Sequence, residues 1–72
     1  MEEKRNYEIC LWWDEEARIW IAEGPELCMV LEGEDLFELI ARSYIVAEEM
    51  LELNNLPPIA QLSILNKGIV KF

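Results

Sequence analysis

The chain of 72 residues contains no histidine. Without an imidazole, neither Ser43 nor Ser63 has the base that serine nucleophiles use, and a thiolate lacks its common activating partner. The two cysteines, Cys10 and Cys28, form no C-x-x-C pair that would favour a zinc site. The sequence therefore predicts a protein that is not an enzyme, with no catalytic residue, metal site or cofactor.

Glycine and basic residues are scarce as well. Gly24, Gly33 and Gly68 are too far apart to form a phosphate-binding loop. Six basic residues against 15 acidic ones give a formal charge of -9, which disfavours contact with nucleic-acid phosphates and anionic lipids. The acidity can simply keep a small apolar domain soluble, or it can attract a basic protein partner. Charge alone favours the first explanation.

No apolar segment is long enough for a signal peptide or a membrane span, and the N-terminus is charged, which predicts a cytoplasmic protein. We expect both cysteines to be reduced, buried small hydrophobes, although a disulfide remains possible. The length predicts a single domain over residues 1–72. A hydrophobic fraction of 53% is high for so short a chain, so some apolar surface is left for oligomerisation or for a partner.

Alternation of apolar and polar residues predicts two strands, Tyr7–Trp13 and Arg18–Ala22, joined by an acidic turn into an antiparallel hairpin. Trp20 should then lie opposite Trp12 or Trp13. After Gly24 and Pro25, five successive apolar residues at 27–31 predict a third strand that is buried on more than one side.

A long helix is expected next, from Leu36 to about Leu53. Asp35 and Glu38 have the spacing of a capping pair, and Glu38 also pairs favourably with Arg42 one turn later. Two asparagines and then two prolines end the helix. The apolar positions expected on the packed face are Leu36, Phe37, Leu39, Ile40, Tyr44, Val46, Ala47, Met50, Leu51 and Leu53.

Ile45 departs from this pattern because it falls among the polar residues of the helix. Most exposed apolar residues have no special role, but Ile45 is our candidate for contact with another chain. Further along, residues 60–65 predict a fourth strand beside the sheet, and Asn66 to Gly68 predict a turn. Residues 69–72 can then return as a hairpin or pair with a second molecule. The predicted fold is α+β, an antiparallel β-β-β-α-β sheet with one long helix packed on one face.

Three sequence segments carry a resemblance to a known family. They are W-D-E-E-A-R-I-W-I-A at 13–22, P-E-L at 25–27 and E-G-E-D-L-F-E-L at 32–39. In this order they resemble the HicB-like antitoxin family and a related group of short domains of unknown function, over Tyr7 to Asn54. Pro25 lies in the matching segment, and Gly33, Asp35 and Glu38 occupy the places of the family's glycine and helix cap.

The resemblance implies a partial RNase H-like sheet without the nuclease's catalytic acids. It also implies an antitoxin that neutralises a small, basic toxin ribonuclease by covering its active surface, and that dimerises or forms larger assemblies. Residues after Asn54 are too few and too little basic for the DNA-binding segment that full-length relatives carry. We therefore expect no direct contact with nucleic acid. Cys28 and Met29 stand where relatives often have a proline-glycine turn.

Three functional hypotheses follow. The leading one is an antitoxin-like module that binds a basic protein, and the second is an orphan structural domain that self-associates through an edge strand or Ile45. The third is a small enzyme or ligand-binding protein that uses the carboxylates near residues 14–16, for which no base, nucleophile or metal set is visible. The candidate contacts with a partner or a second copy are Trp12, Trp20, Ile45, Ile69 and Phe72.

Overall fold

The alternating segments form a four-stranded sheet, and one long helix packs on one of its faces. A computed structural model describes residues 3–70. Along the chain the elements are β1 (Arg5–Asp14), β2 (Ile19–Gly24), a short 3₁₀ helix (Pro25–Leu27), β3 (Met29–Gly33), α1 (Leu36–Leu53) and β4 (Ile59–Val70). The strand order across the sheet is β3-β2-β1-β4. The predicted α+β class and the β-β-β-α-β order are confirmed.

Strands β1 and β2 form the predicted antiparallel hairpin. Trp13 lies opposite Trp20, and their ring centroids are 5.4 Å apart with planes inclined by 59°, so the expected aromatic pair is present. The Asp14 carboxylate closes the turn by accepting the backbone N–H groups of Glu16 and Ala17, at 3.0 and 3.1 Å. This acid is therefore a structural element of the turn.

The third strand differs from the prediction in its bounds and its burial. Pro25 begins a turn of 3₁₀ helix that places Leu27 in the core, so β3 starts two residues later than expected, at Met29. β3 is an edge strand, paired antiparallel with β2 only, and Val30 is 63% exposed. The expectation of a strand buried on more than one side is therefore wrong.

The helix has the predicted start and the predicted end. The Asp35 carboxylate accepts the backbone N–H of Glu38 at 3.1 Å, as the capping pattern indicates. At the C-terminus, Asn55 is in the left-handed region with φ 53°. The backbone N–H of Leu56 donates to the Leu51 carbonyl at 2.9 Å, and that of Asn55 donates to the Glu52 carbonyl at 3.2 Å. This is the Schellman arrangement, here with asparagine in the glycine position.

The packed face of α1 is narrower than predicted. Its fully buried positions are Leu39, Ser43, Ala47 and Leu51, which recur every four residues. Phe37, Tyr44 and Leu53 are 81%, 47% and 77% exposed, so their assignment to the packed face is wrong. A single helix on a sheet buries only the side chains of one stripe, and these three lie outside it. Ile45 is 62% exposed, as expected.

Helix α1 is also tied to the edge strand β3. The Arg42 guanidinium donates to the backbone carbonyl of Glu32, although the sequence suggested only a pairing of Arg42 with Glu38. A Cβ atom on Gly33 would lie 3.4 Å from the Arg42 Nη2 atom and 3.7 Å from the Leu39 Cβ atom. These are ordinary van der Waals distances, so α1 lies in contact range of the end of β3 at Gly33.

Strand β4 runs parallel to β1, which corrects the expectation of a fully antiparallel sheet. Two antiparallel pairings make β3 parallel to β1, and a helix that crosses between two strands of one sheet restores the strand direction. β4 is also longer than predicted. Leu11 pairs with Asn66 and Trp13 with Ile69, so β4 has one extra residue between these pairs.

The extra residue forms a bulge, and the predicted turn at Asn66 to Gly68 is wrong. Gly68 does adopt the positive φ that was expected, at 79°, and its N–H donates to the Asn66 side-chain oxygen at 2.9 Å. Because β1 continues alongside, β4 keeps its direction through this irregularity. The chain does not turn back within residues 59–70, and Phe72 lies outside the described residues.

The core lies between the sheet and α1. Its buried members are Tyr7, Ile9, Leu11, Ala22, Leu27, Met29, Leu39, Ala47 and Leu51. Buried Ser43 is satisfied because its hydroxyl donates to the Leu39 carbonyl at 2.7 Å. Among residues 3–70, no helix combines the length and the apolar character needed to cross a bilayer.

Candidate protein-binding surface

The sheet has a second face that the described helix does not cover. In β1, Tyr7, Ile9 and Leu11 belong to the core beneath α1, so the residues that alternate with them point to the opposite side. Strand pairing extends this side across the sheet, because directly paired residues share a face. We call it the open sheet face. It consists of Glu8, Cys10, Trp12, Asp14, Ile19, Ile21, Glu23, Val30, Glu32, Gln61, Ser63 and Leu65.

The centre of the open sheet face is apolar. Trp12 pairs with Ile21 across β1 and β2, and both side chains are half-buried. Cys10 lies opposite Leu65 of β4, and Leu65 is exposed. Neighbouring strands shield part of each side chain, but nothing packs on top of them within residues 3–70. Contiguous exposed apolar surface of this kind is typical of a site that binds another macromolecule.

Carboxylates are interspersed with this apolar centre. Glu23 lies opposite Cys10, Glu32 lies opposite Ile21, and Glu8 lies opposite Ser63. Asp14 shares the face, but its carboxylate is already engaged in the hairpin turn. The arrangement offers apolar contact at the centre and negative charge around it, which complements a basic surface.

A separate apolar depression lies on the helix side, at the far end of the sheet. It is shallow, has a volume of about 450 Å³, and is lined by Trp13, Trp20, Asn66 and Gly68. The indole N–H of Trp13 donates to the Glu15 carboxylate at 2.7 Å. The depression is wide open, and none of the four described residues that line it has an ionisable side chain.

The predicted contact residues lie on different surfaces. Trp12 is on the open sheet face, whereas Trp20 is on the helix side beside Trp13. Ile45 is on the outer side of α1. The backbone of Ile69 pairs with Trp13, but the Ile69 side chain and all of Phe72 lie outside the described residues. Trp12 is thus the one candidate that the described structure places on the open sheet face.

The partners of Trp12 on this surface were not predicted from the sequence. Ile21, Val30 and Leu65 share its face only through the pairing of all four strands of the sheet. The sequence of β1 did contain a local indication of this surface. Cys10 and Trp12 are apolar, and they alternate with the core residues of the strand. A strand that is apolar on both sides must be covered twice or must leave one side exposed.

The described residues contain no cluster of three or more cysteine, aspartate and glutamate side chains able to hold a metal ion. Both cysteines are free thiols. Cys10 is half-buried on the open sheet face, whereas Cys28 is exposed, which corrects the expectation that both are buried. Cys28 is the residue that ends the 3₁₀ helix, and its backbone lies in the left-handed region, with φ 53° and ψ 42°.

Comparison with known protein families gives a match that covers most of the chain. Residues 6–65 match the model of a domain of unknown function, DUF1902. The chain belongs to the DUF1902 family. The matched range of this DUF1902 domain contains all of β2, β3 and α1 and most of β1, so it includes the strands that build the centre of the open sheet face. No curated protein and no solved structure matches the chain significantly.

Proposed function

We propose that this DUF1902 domain is a small protein-binding module that docks a basic protein partner on the open sheet face. The observation that carries the proposal is the uncovered apolar surface around Trp12 and Ile21, which has the carboxylates of Glu8, Glu23 and Glu32 beside it. Apolar contact at the centre supplies affinity, and the surrounding negative charge selects and steers a basic partner.

The resemblance to HicB-like antitoxins names the class of partner. In this proposal the partner is a small toxin ribonuclease, and the module neutralises it by covering the basic surface that binds RNA. Two features support the choice. The formal charge of -9 favours a positively charged partner over nucleic acid, and the β-β-β-α-β order agrees with the partial RNase H-like fold of those antitoxins.

The test uses a small basic protein encoded beside the gene, co-expressed with the full chain. We expect the two proteins to purify as a complex and the chain to suppress RNA cleavage by its partner. Binding measured by calorimetry should weaken between low and moderate salt, because the Debye length shortens to about 10 Å at 0.1 M.

Trp12→Ser and Ile45→Ser form a matched pair for locating the surface. We expect Trp12→Ser to weaken binding by at least about tenfold, as loss of a central aromatic contact does, and Ile45→Ser to leave binding unchanged. Loss of affinity in Ile45→Ser with retention in Trp12→Ser would place the interface on α1 and reject the proposal.

Charge is tested separately with two double variants. Glu23→Gln with Glu32→Gln removes carboxylates from the open sheet face, while Glu48→Gln with Glu49→Gln removes the same charge from exposed positions of α1. Slower association in the first variant alone would support the proposed role of the face. If both double variants associate equally slowly with the partner, the association rate depends on net charge alone and not on the open sheet face.

A further inference from the structure

The outer edge of β4 differs from the other edge of the sheet. β4 ends the strand order β3-β2-β1-β4, so one row of its backbone N–H and C=O groups faces away from β1. The pairing with β1 is regular over Gln61–Leu65, between irregularities near Ala60 and at Asn66 to Gly68. We call Gln61–Leu65 the β4 edge segment. It contains no charged residue and no proline.

Edge strands of natural sheets usually carry charges, prolines or bulges, or are short. These features prevent the edge from pairing with a strand of another molecule. The opposite edge, β3, has such protection. It is five residues long, it carries Glu32, and the Arg42 guanidinium already occupies the Glu32 carbonyl. The β4 edge segment has bulges only at its two ends, so its centre is free to pair.

Apolar side chains of β4 are also only partly covered, although they pack against the edge of the core. Leu62 and Ile64 lie on the helix side, opposite Tyr7 and Ile9 of β1. α1, however, packs over β2 and β3, and both β4 side chains remain half-buried. A strand added beside β4 would shield them from water.

The distribution of charge indicates a second copy of the chain as the added strand. All 15 acidic residues lie before residue 53, and residues 53–72 carry only the two lysines Lys67 and Lys71 as charged side chains. Two copies with a formal charge of -9 each repel one another over most of their surface. Contact through β4 brings together the segments of the two chains that carry no acidic side chain, and the nearest carboxylate on the same face is that of Glu8, which lies opposite Ser63 on β1.

We propose that two copies of the chain pair through the β4 edge segment, antiparallel, with Ser63 opposite Ser63 of the second copy. This register places Leu62 opposite Ile64 of the other copy on the helix side. The two-fold axis is perpendicular to the sheet, so both helices lie on the same side of a continuous eight-stranded sheet. The open sheet faces of both copies then adjoin on the other side. The inference does not depend on the proposed function.

The test is the mass of the full chain in solution, measured by sedimentation over a wide range of concentration. We expect a reversible dimer of the 8.5 kDa chain. It should strengthen as salt rises, because salt screens the repulsion between two acidic molecules. A complex with a basic partner should weaken under the same change, so the two associations are distinguished. A chain that stays monomeric at every concentration and salt level would overturn the inference.

Substitution of Ser63 tests the two-fold contact directly. Ser63→Lys and Ser63→Glu each place like charges opposite one another, and each should raise the dimer dissociation constant by about tenfold. A mixture of the two variants should dimerise again, because the charges are then opposite. Val30→Lys, an exposed position on the β3 edge, is the matched control and should dimerise normally. Dimers that survive both Ser63 variants, a mixture that stays monomeric, or loss of the dimer in Val30→Lys would each refute the pairing.

Hydrogen exchange of the unmodified chain tests the same pairing without any substitution, so it remains informative if a Ser63 variant does not fold. Amides of the β4 edge segment that face outward should exchange more slowly as concentration rises, while the amides of β3 keep their rates. Increased protection of β3 with no change in β4 would contradict the inference.

Discussion

The Tyr7 hydroxyl donates a hydrogen bond to the Pro57 carbonyl at 2.6 Å. Tyr7 is a buried residue of β1, and Pro57 lies in the short connection between α1 and β4. One residue further on, the Pro58 carbonyl accepts the backbone N–H of Arg5 at 2.9 Å. These two bonds place the connection at the point where β4 begins to pair with β1, so they help to set the register of the parallel pair.

Replacement of Tyr7 by phenylalanine should therefore destabilise the fold without changing its shape. The ring stays in the core, but the Pro57 carbonyl loses its donor, which typically costs about 1 kcal/mol of unfolding free energy. Urea unfolding followed by circular dichroism measures the loss. Tyr44→Phe is the matched control, because the Tyr44 side chain is exposed and its change should stay within about 0.5 kcal/mol. Equal effects in both variants would mean that the Tyr7–Pro57 bond adds nothing to stability.

The helix cap gives a second stability prediction. Asp35→Ala removes the acceptor of the Glu38 N–H and should lower the unfolding free energy by about 1 kcal/mol. Asp35→Asn keeps an acceptor at the same place and should lower the unfolding free energy by only about 0.3 kcal/mol. The comparison uses denaturation midpoints at one pH and salt concentration. If both variants lose the same stability, the negative charge at the helix start matters more than the hydrogen bond.

Local patterns in the sequence were sufficient to predict the hairpin and the ends of the helix. Alternation predicted that Trp20 faces Trp12 or Trp13, of which the structure shows Trp13, and the polar residues at Asp35 and Asn55 marked the two ends of α1. Such features depend on residues that are close in sequence. Their physical causes, strand alternation and end capping, act within a few residues.

The sequence-based predictions were wrong for features that depend on contacts between residues far apart in the chain. The direction of β4 follows from the crossover through α1, and an isolated strand pattern contains no information about it. The same limit hid the open sheet face, since Trp12 and Leu65 are brought near one another only by the pairing of β1 with β4. Phe37 and Tyr44 were misplaced because the width of the packed face depends on how α1 meets the sheet.

Backbone strain at Cys28 leads to a third prediction. Cys28 adopts φ 53° where the short helix of residues 25–27 ends, a conformation that glycine reaches without a steric cost. Cys28→Gly should therefore stabilise the chain by roughly 0.5–1 kcal/mol, which for a domain of this size raises Tm by about 2–8 °C. Cys28→Ala removes the same thiol but keeps the strain, so it should give no gain. A similar gain in both variants would assign the effect to the thiol.

The two thiols also provide an internal test of the proposed docking surface. In the free chain, exposed Cys28 should react with a soluble thiol reagent faster than half-buried Cys10. A basic partner that docks on the open sheet face covers Cys10, which lies on that face between Glu23 and Leu65, and leaves Cys28 accessible. Labelling followed by mass spectrometry should therefore show slower modification of Cys10 alone when the partner is added.

Dimerisation through β4 gives a different labelling result, because strand pairing lengthens the sheet sideways and leaves the open sheet face exposed. Cys10 should then keep its rate as the concentration of the free chain rises. Protection of Cys10 by concentration alone would mean that two copies stack face to face, contrary to the β4 pairing. Protection of Cys28 but not Cys10 by the partner would place the docking site at the β3 edge, contrary to the proposed function.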